Sequence, residues 1–416
     1  MKNFWKITVN KGSCQNLGLW LLIPFASVIS HTWLSVPPTM ICFLLSVLCC
    51  LLLYDGNLTK NPLSCDRWQI QAILPVCFFA FYIFLEQYFM GAQIRRYWSV
   101  VCAALYFPVC IGLVGKSPLR NWKNKIDWFI YIAALIYILE AIGRYGVVIY
   151  KIINGSSTSF GIYRFKFDGP MFFESNGTAI HLIIILFFVL WWYNYQKRQI
   201  AISGVGDEPK KKALLWENKK LFSHYRKLIF LFIILLFLTL SRACVFAAIL
   251  GLIYFFVPKR KNLLLILAAF LVLISVFGLF VIYPLFRYDL SFMSKFDIFN
   301  YACAYLQTAT LWQWLFGVGL SESDKVMLIY AHNYWLVFLV ETGISGLLAL
   351  VYMFIHFIWK TKGVALYVLL PFFLATASSS VTFIPELYIA MAIMFLTIKR
   401  KDKEGVNSEP DGMSII

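Results

Sequence analysis

The chain has 416 residues, of which 61% are hydrophobic and only 14% are charged. A soluble domain carries about a quarter charged residues, so the composition excludes an ordinary soluble enzyme. Lys and Arg number 37 against 20 Asp and Glu. In a soluble protein that excess suggests nucleic acid, but in a membrane protein it suggests topology, because basic residues collect in cytoplasmic loops. With a mean hydropathy of +0.75, the chain is predicted to be a polytopic membrane protein.

Twelve hydrophobic segments follow one another along the chain, most of them near the length of about 20 residues that crosses a bilayer. They run near 16–34, 38–54, 68–89, 97–114, 127–150, 177–195, 228–242, 243–257, 263–284, 334–358, 364–380 and 383–398. We predict an all-α polytopic integral membrane protein with about 12 transmembrane helices, forming one membrane domain over 1–416. Because Gly343 and Gly346 interrupt the tenth segment, it is predicted to begin as a short helix followed by the span itself.

The distribution of basic residues predicts the orientation. With both termini in the cytoplasm, 27 of the 37 Lys and Arg residues fall in cytoplasmic segments, as the positive-inside rule requires. Arg95 and Arg96, in a short outer loop, argue mildly against this orientation. The segment 196–227 is predicted to be a basic cytoplasmic loop that touches anionic lipid headgroups. Two outer loops are long enough for function, 152–176 and 285–333, and the second is predicted to form amphipathic helices at the membrane surface.

Charged residues inside spans are energetically expensive and therefore informative. Glu140 and Arg144 lie one helical turn apart in the fifth span, which favours a mutual salt bridge over a contact with substrate. Glu86 and His181 have no evident partner nearby in the sequence. Arg242 interrupts an apolar run of about thirty residues and must find an anion elsewhere, namely a distant carboxylate, a lipid headgroup or a phosphate ligand.

Two polar residues, His332 and Asn333, open the tenth span on the predicted outer side. Imidazole titrates near neutrality and is able to take a proton from a sugar hydroxyl. The alternative is that both are ordinary boundary residues, since Asn is a common helix-start residue. The sequence has no CxxC, HExxH or His/Cys cluster, so we predict no zinc site and no disulfide framework.

Four stretches in chain order then suggest a family: Asp168–Asn176, Thr239–Ala243 with its S-R, Trp314–Leu320 with F-G-V-G, and Ala331–Gly346 with H-N-Y-W-L and E-T-G-I-S-G. Their order and spacing resemble the bacterial O-antigen polymerase and O-antigen ligase superfamily. The resemblance covers about 160–400. In one departure, many relatives have an Arg at the start of the outer amphipathic helix, where this chain has Lys295, which keeps the charge but not the planar fork.

The resemblance implies a GT-C-like fold with a large periplasmic helical loop between spans 9 and 10, in the bacterial inner membrane. It implies glycosyl transfer at the periplasmic face, with a glycan on undecaprenyl diphosphate as donor, no metal and no cofactor. A chain-length regulator and membrane lipid are the other implied partners, and nucleic acid is not one. The implied site residues are His332 as the catalytic group, with Arg242, Arg287, Arg164, Lys295 and Asn333 binding diphosphate or glycan.

Three functions remain open at this point. A polymerase transfers the glycan to a second lipid-linked repeat unit, whereas a ligase transfers it to lipid A–core. The segment 168–176 and the Trp-Leu-Phe-Gly form of the glycine motif favour the polymerase, while His332 and Asn333 are shared with ligases. A transporter or a flippase of lipid-linked glycans also fits twelve spans with a basic central loop, but the missing internal repeat argues against it.

Overall fold

The computed structural model describes residues 11–23, 36–53, 67–114, 119–155, 166, 174–203, 219–256, 290–327, 333–379, 381 and 384–403. Within these ranges every regular element is a helix. The all-helical character predicted from the sequence is therefore confirmed for this part of the chain. The predicted ninth span, 263–284, lies outside it.

The helices follow each other in two runs. The first run comprises α1 (Lys11–Leu22), α2 (Val36–Leu53), α3 (Arg67–Phe89), α4 (Ile94–Val114), α5 (Leu119–Ile153), α6 (Ser175–Ser203), α7 (Lys219–Leu238) and α8 (Arg242–Phe256). The second comprises α9 (Leu290–Thr308), α10 (Leu311–Phe316), α11 (Tyr334–Lys360), α12 (Leu366–Thr376) and α13 (Pro385–Lys403), with a 3-10 turn at Ser323–Lys325 between α10 and α11.

Four stretches of helix are long and apolar enough to cross a membrane: Arg67–Phe89, Lys123–Ile153, Ser175–Ile200 and Tyr334–Lys360. They belong to α3, α5, α6 and α11. Shorter apolar helices lie beside them, among them α8 and α12. These lengths and compositions are those of a helical membrane protein.

Helix α6 lies at the centre of the bundle. It packs against α5, α7, α8, α12 and α13, and 94% of its most apolar 18-residue stretch is buried. The run Ile180–Trp192 carries apolar side chains all round the helix apart from His181, which is the pattern of a helix enclosed on every side. Around it, α4 packs against α3 and α13, and α3 packs against α11.

Helix α11 is broken near its start. Gly343 has φ 61° and ψ −172°, values outside the helical region. Residues other than glycine are essentially not found with these backbone angles. A short helix from Tyr334 therefore precedes the longer one, as predicted from Gly343 and Gly346.

Two predicted loops are largely helical. The basic segment 196–227 is shortened from both sides, because α6 continues to Ser203 and α7 begins at Lys219. The segment 285–333 contains α9 and α10. One stripe of α9 is buried with Ile298, Ala302 and Tyr305 against the first part of α11, so this segment packs on the bundle.

Candidate functional site

The segments that carry the sequence motifs meet at one end of the bundle. There α6, α8 and α11 begin, and α7 and α12 end. The backbone N–H of Tyr334 donates to the carbonyl of Ser379 at 3.2 Å, which joins α11 to the segment after α12. The Ser241 hydroxyl donates to Asn176 Oδ1 at 2.8 Å, which joins α8 to α6. Residues far apart in sequence thus surround one region.

The S-R motif forms the turn between α7 and α8. Leu240 has a φ of 54°, which is the left-handed conformation that commonly ends a helix and that glycine usually adopts. The Thr239 hydroxyl donates to the Leu236 carbonyl at 2.7 Å and thereby satisfies one of the last carbonyls of α7. Arg242 is the first residue of α8 and is exposed. Its cationic side chain lies at the positive end of the helix dipole, so this position favours an anion.

Asn176 holds this turn in place. Its Oδ1 accepts from Ser241, and its Nδ2 donates to Glu174 Oε1 at 2.9 Å. The amide is thus fixed on both sides, and one of its partners, Ser241, immediately precedes Arg242 in the chain. The sequence interpretation included this residue in a motif but gave it no role. Its position at the start of an apolar helix was the available signal, because Asn is preferred at helix starts, where its side chain forms hydrogen bonds.

Lys295 of α9 lies beside the same turn. Its Nζ donates to the carbonyl of Ser378 at 2.7 Å. Burial lowers the pKa of the Lys295 amine; the nearby Lys166 lowers it further, while Glu174 raises it. Lys166 is buried, and sequence reasoning did not single it out. A basic residue in a loop predicted to be outer, against the positive-inside rule, was the signal for it.

Asn333 caps α11 and ties it to the end of α12. Its Oδ1 accepts from the backbone N–H groups two and three residues later, at 3.0 and 3.1 Å. Its Nδ2 donates to the carbonyl of Ala377 at 2.7 Å. Lys295 binds the next carbonyl, that of Ser378. The two predicted site residues, Asn333 and Lys295, therefore bind successive carbonyls at the end of α12.

The two glycine motifs form a single structural unit. The backbone N–H of Val318 donates to the Val340 carbonyl at 3.1 Å, and that of Gly319 donates to the Glu341 carbonyl at 2.9 Å. The F-G-V-G segment therefore pairs with the broken end of the first part of α11, whose last carbonyls lack helical partners. Glu341 also accepts from the Ser323 hydroxyl at 2.6 Å.

Neither glycine of this contact has room for a side chain. A Cβ on Gly343 would lie within 3.0 Å of the Leu315 carbonyl, and a Cβ on Gly317 would lie equally close to the backbone of Glu341. Gly317 has a φ of 71° and a ψ of −159°, which also demands glycine. The glycines of these motifs therefore serve the backbone geometry of this contact.

The isolated ionisable residues of the spans have partners. Glu86, for which the sequence showed no evident partner nearby, accepts from the Tyr82 hydroxyl one turn earlier on α3 at 3.1 Å, so that expectation was wrong. His181 pairs with Glu386 at the start of α13, and both are fully buried. The predicted salt bridge from Arg144 Nη2 to Glu140 Oε1 is present at 3.0 Å.

Three of the six site residues implied by the resemblance are described, and Arg242, Lys295 and Asn333 all lie at the motif-bearing end. His332, Arg287 and Arg164 lie outside the described residues, and His332 is placed only as the neighbour of Asn333 in the chain. Within the described part of the chain, no group of three or more His, Cys, Asp or Glu side chains is arranged to hold a metal ion.

The double role of Asn333 leads to a prediction about stability. Asn333→Ala loses the cap and the bond to the Ala377 carbonyl, and we expect it to lower the free energy of unfolding by roughly 1–2 kcal/mol. Asn333→Asp keeps the cap acceptor and loses only the donor, so its effect should be smaller. Thermal unfolding of the purified variants in detergent measures this order. Equal melting temperatures for Asn333→Ala and the unmodified protein would remove the cap from the account.

Comparison with known proteins finds no match for this chain among protein family models, curated proteins or solved structures.

Proposed function

We propose that the protein is a glycosyltransferase that extends a lipid-linked surface polysaccharide, an O-antigen-type polymerase. Its donor is a glycan on undecaprenyl diphosphate, and its acceptor is a second lipid-linked repeat unit. The observation that carries the proposal is the meeting of the S-R turn, the paired glycine motifs and Asn333 at one end of the bundle. Basic residues gather at that same end, and a diphosphate requires them.

The chemistry follows from the residue types. The acceptor hydroxyl oxygen attacks the anomeric carbon of the donor sugar, and the bond from that carbon to the diphosphate oxygen breaks. Arg242 and Arg287 stabilise the negative charge that develops on the leaving diphosphate, because fixed guanidinium groups act strongly in a water-poor site. His332 takes the proton of the acceptor hydroxyl. Arg164 binds donor phosphate or acceptor glycan.

Arginine and lysine side chains supply the positive charge, so the proposed reaction is metal-independent and uses no cofactor. Lys295 lies close enough to Glu174, Lys166 and Cys244 for each to affect its pKa, and Cys244 belongs to the first turn of α8, beside the S-R motif. Asn333 fixes the start of α11 through its cap and through its bond to the end of α12. In the proposed mechanism the preceding residue in the chain, His332, is the base.

The membrane arrangement is part of the proposal. About 12 spans in a GT-C-like fold, with both termini in the cytoplasm of a bacterium, place the motif-bearing end at the periplasmic face of the inner membrane. A lipid-linked donor requires a membrane-embedded enzyme, and the four long apolar stretches support this. A chain-length regulator is the proposed protein partner.

The experiment that tests the function is deletion of the gene, followed by electrophoresis of the lipopolysaccharide. Loss of a polymerase leaves lipid A–core capped by a single repeat unit, and the gene supplied on a plasmid should restore the ladder of longer chains. Bare core with stranded lipid-linked polymer would instead identify a ligase. An unchanged glycan pattern would contradict both activities.

A further inference from the structure

A small cavity lies directly beneath the S-R turn, between α5, α6 and α7. Its walls include Glu140, Arg144, Thr178 and Thr239. The cavity has a volume of about 10 Å3, and a space of roughly this size admits one water molecule or one ligand oxygen. Thr239 belongs to the turn that leads to Arg242, so the cavity adjoins the proposed donor site.

The salt bridge between Arg144 and Glu140 uses only part of the guanidinium group. Nη2 donates to Glu140 Oε1 at 3.0 Å and to Thr178 Oγ1 at 3.4 Å. Nε and Nη1 are buried and have no hydrogen-bond partner among the residues that the structure describes. The side chain is only 3% exposed, and arginine stays charged under all relevant conditions. Buried donors without an acceptor are costly, so this edge of Arg144 requires an oxygen.

The surroundings favour an anionic oxygen. The Thr178 hydroxyl donates to the Glu174 carbonyl at 3.1 Å, which connects the cavity to the residue that binds Asn176. Asn176 in turn binds Ser241, the neighbour of Arg242. The cavity is thus connected by hydrogen bonds to the turn that carries Arg242, which is a second cation for an anionic ligand.

We propose that Arg144 is a buried anion-binding residue whose Nε and Nη1 groups donate hydrogen bonds to one phosphate oxygen of a polyprenyl-diphosphate-type lipid. The remainder of the headgroup lies at the mouth of the cavity, towards Arg242. The choice of a phosphate-bearing lipid rests on the proposed function, whereas the requirement for an oxygen acceptor rests on the geometry of Arg144. Glu140 balances the charge of the guanidinium and holds it in place when no ligand is bound.

The opposite effects of two variants separate this role from a purely structural salt bridge. Arg144→Ala alone would leave the Glu140 carboxylate buried without its partner and is expected to unfold the bundle. The double variant Glu140→Leu/Arg144→Met removes both charges together and should stay folded, because a buried ion pair is often replaceable by apolar residues. Glu140→Gln keeps an amide oxygen that accepts from Arg144 Nη2 and so preserves the local hydrogen bond, but it removes the competing negative charge, so an anionic ligand should bind more tightly.

The experiment measures binding of undecaprenyl diphosphate to the purified protein in phosphatidylcholine nanodiscs, with inorganic pyrophosphate as a second probe. The double variant should bind both probes about tenfold to hundredfold more weakly, as expected for a lost charge-assisted hydrogen bond. Glu140→Gln should bind both more tightly. Leu139→Ala, at an exposed position of the same helix, is the control and should bind as the unmodified protein does.

Unchanged affinity in the folded double variant would overturn the proposal and leave Arg144 as a structural residue solvated by water. A loss confined to the lipid, with pyrophosphate binding unaltered, would also overturn it, since the phosphate would then not be what Arg144 recognises. The polymerase activity is measured separately. If the unmodified protein forms no polymer but its binding of both probes depends on Arg144, the proposed function fails and the anion site stands.

Discussion

Gly343→Ala is expected to lower the free energy of unfolding by roughly 2–5 kcal/mol, the combined effect of a Gly-only backbone conformation and an overpacked contact. The new Cβ would lie within 3.0 Å of the Leu315 carbonyl, and that oxygen belongs to a backbone that has little freedom to move. The two glycine motifs would be forced apart. We therefore also expect surface polysaccharide chains to be lost. Gly317→Ala should behave in the same way, because its Cβ would meet the Glu341 backbone from the other side.

Two further glycines provide matched controls. Gly363 also has a positive φ, of 81°, but a Cβ there meets nothing within 4 Å. Gly363→Ala should therefore show only the backbone strain, about 1–2 kcal/mol. Gly146 is helical with open space around it, and Gly146→Ala should stabilise slightly. Thermal unfolding of the four variants measures the order. If Gly343→Ala were as stable as Gly146→Ala, the close contact of the two motifs would be wrong.

His332→Ala is expected to abolish polysaccharide extension while the protein inserts and accumulates normally. A positioned general base contributes about 100-fold to 10,000-fold to a reaction rate, so the variant should make essentially no chains longer than one repeat unit. The measurement is electrophoresis of the polysaccharide from a deletion strain that carries the variant, with protein abundance determined in parallel.

His224→Ala serves as the control for this prediction. His224 is exposed near the start of α7, whereas the S-R turn follows the other end of this helix. Its removal should leave the ladder of chain lengths unchanged. Full-length chains in the His332→Ala strain, at normal abundance, would remove His332 from the mechanism.

The sequence predicted the features that depend on near neighbours in the chain. The break in α11 follows from Gly343, and the salt bridge between Glu140 and Arg144 follows from their spacing of four residues. The apolar runs that give α3, α5, α6 and α11 were likewise recognisable, because length and hydropathy are local properties. Boundaries were less predictable, since α6 continues through polar residues to Ser203.

Features that depend on distant residues were not predictable. Nothing in the sequence indicates that Gly317 and Gly343 approach each other, since this contact depends on how α10 packs on α11. The same holds for the partner of His181, which comes from α13, and for the buried Lys166. The two Arg144 nitrogens that have no hydrogen-bond partner among the described residues could not be predicted either. The spacing of Arg144 from Glu140 predicts the ion pair but not which of the guanidinium nitrogens remain without a partner.

The most direct test of the central claim is a reaction with purified components. The protein is reconstituted in lipid vesicles with a single-repeat glycan on undecaprenyl diphosphate and no other enzyme. We expect a ladder of lipid-linked glycans of increasing length, with one undecaprenyl diphosphate released for each linkage formed, and no such ladder with His332→Ala. Lipid-linked glycan that stays at one repeat unit, with the folded protein present and no diphosphate released, would contradict the account.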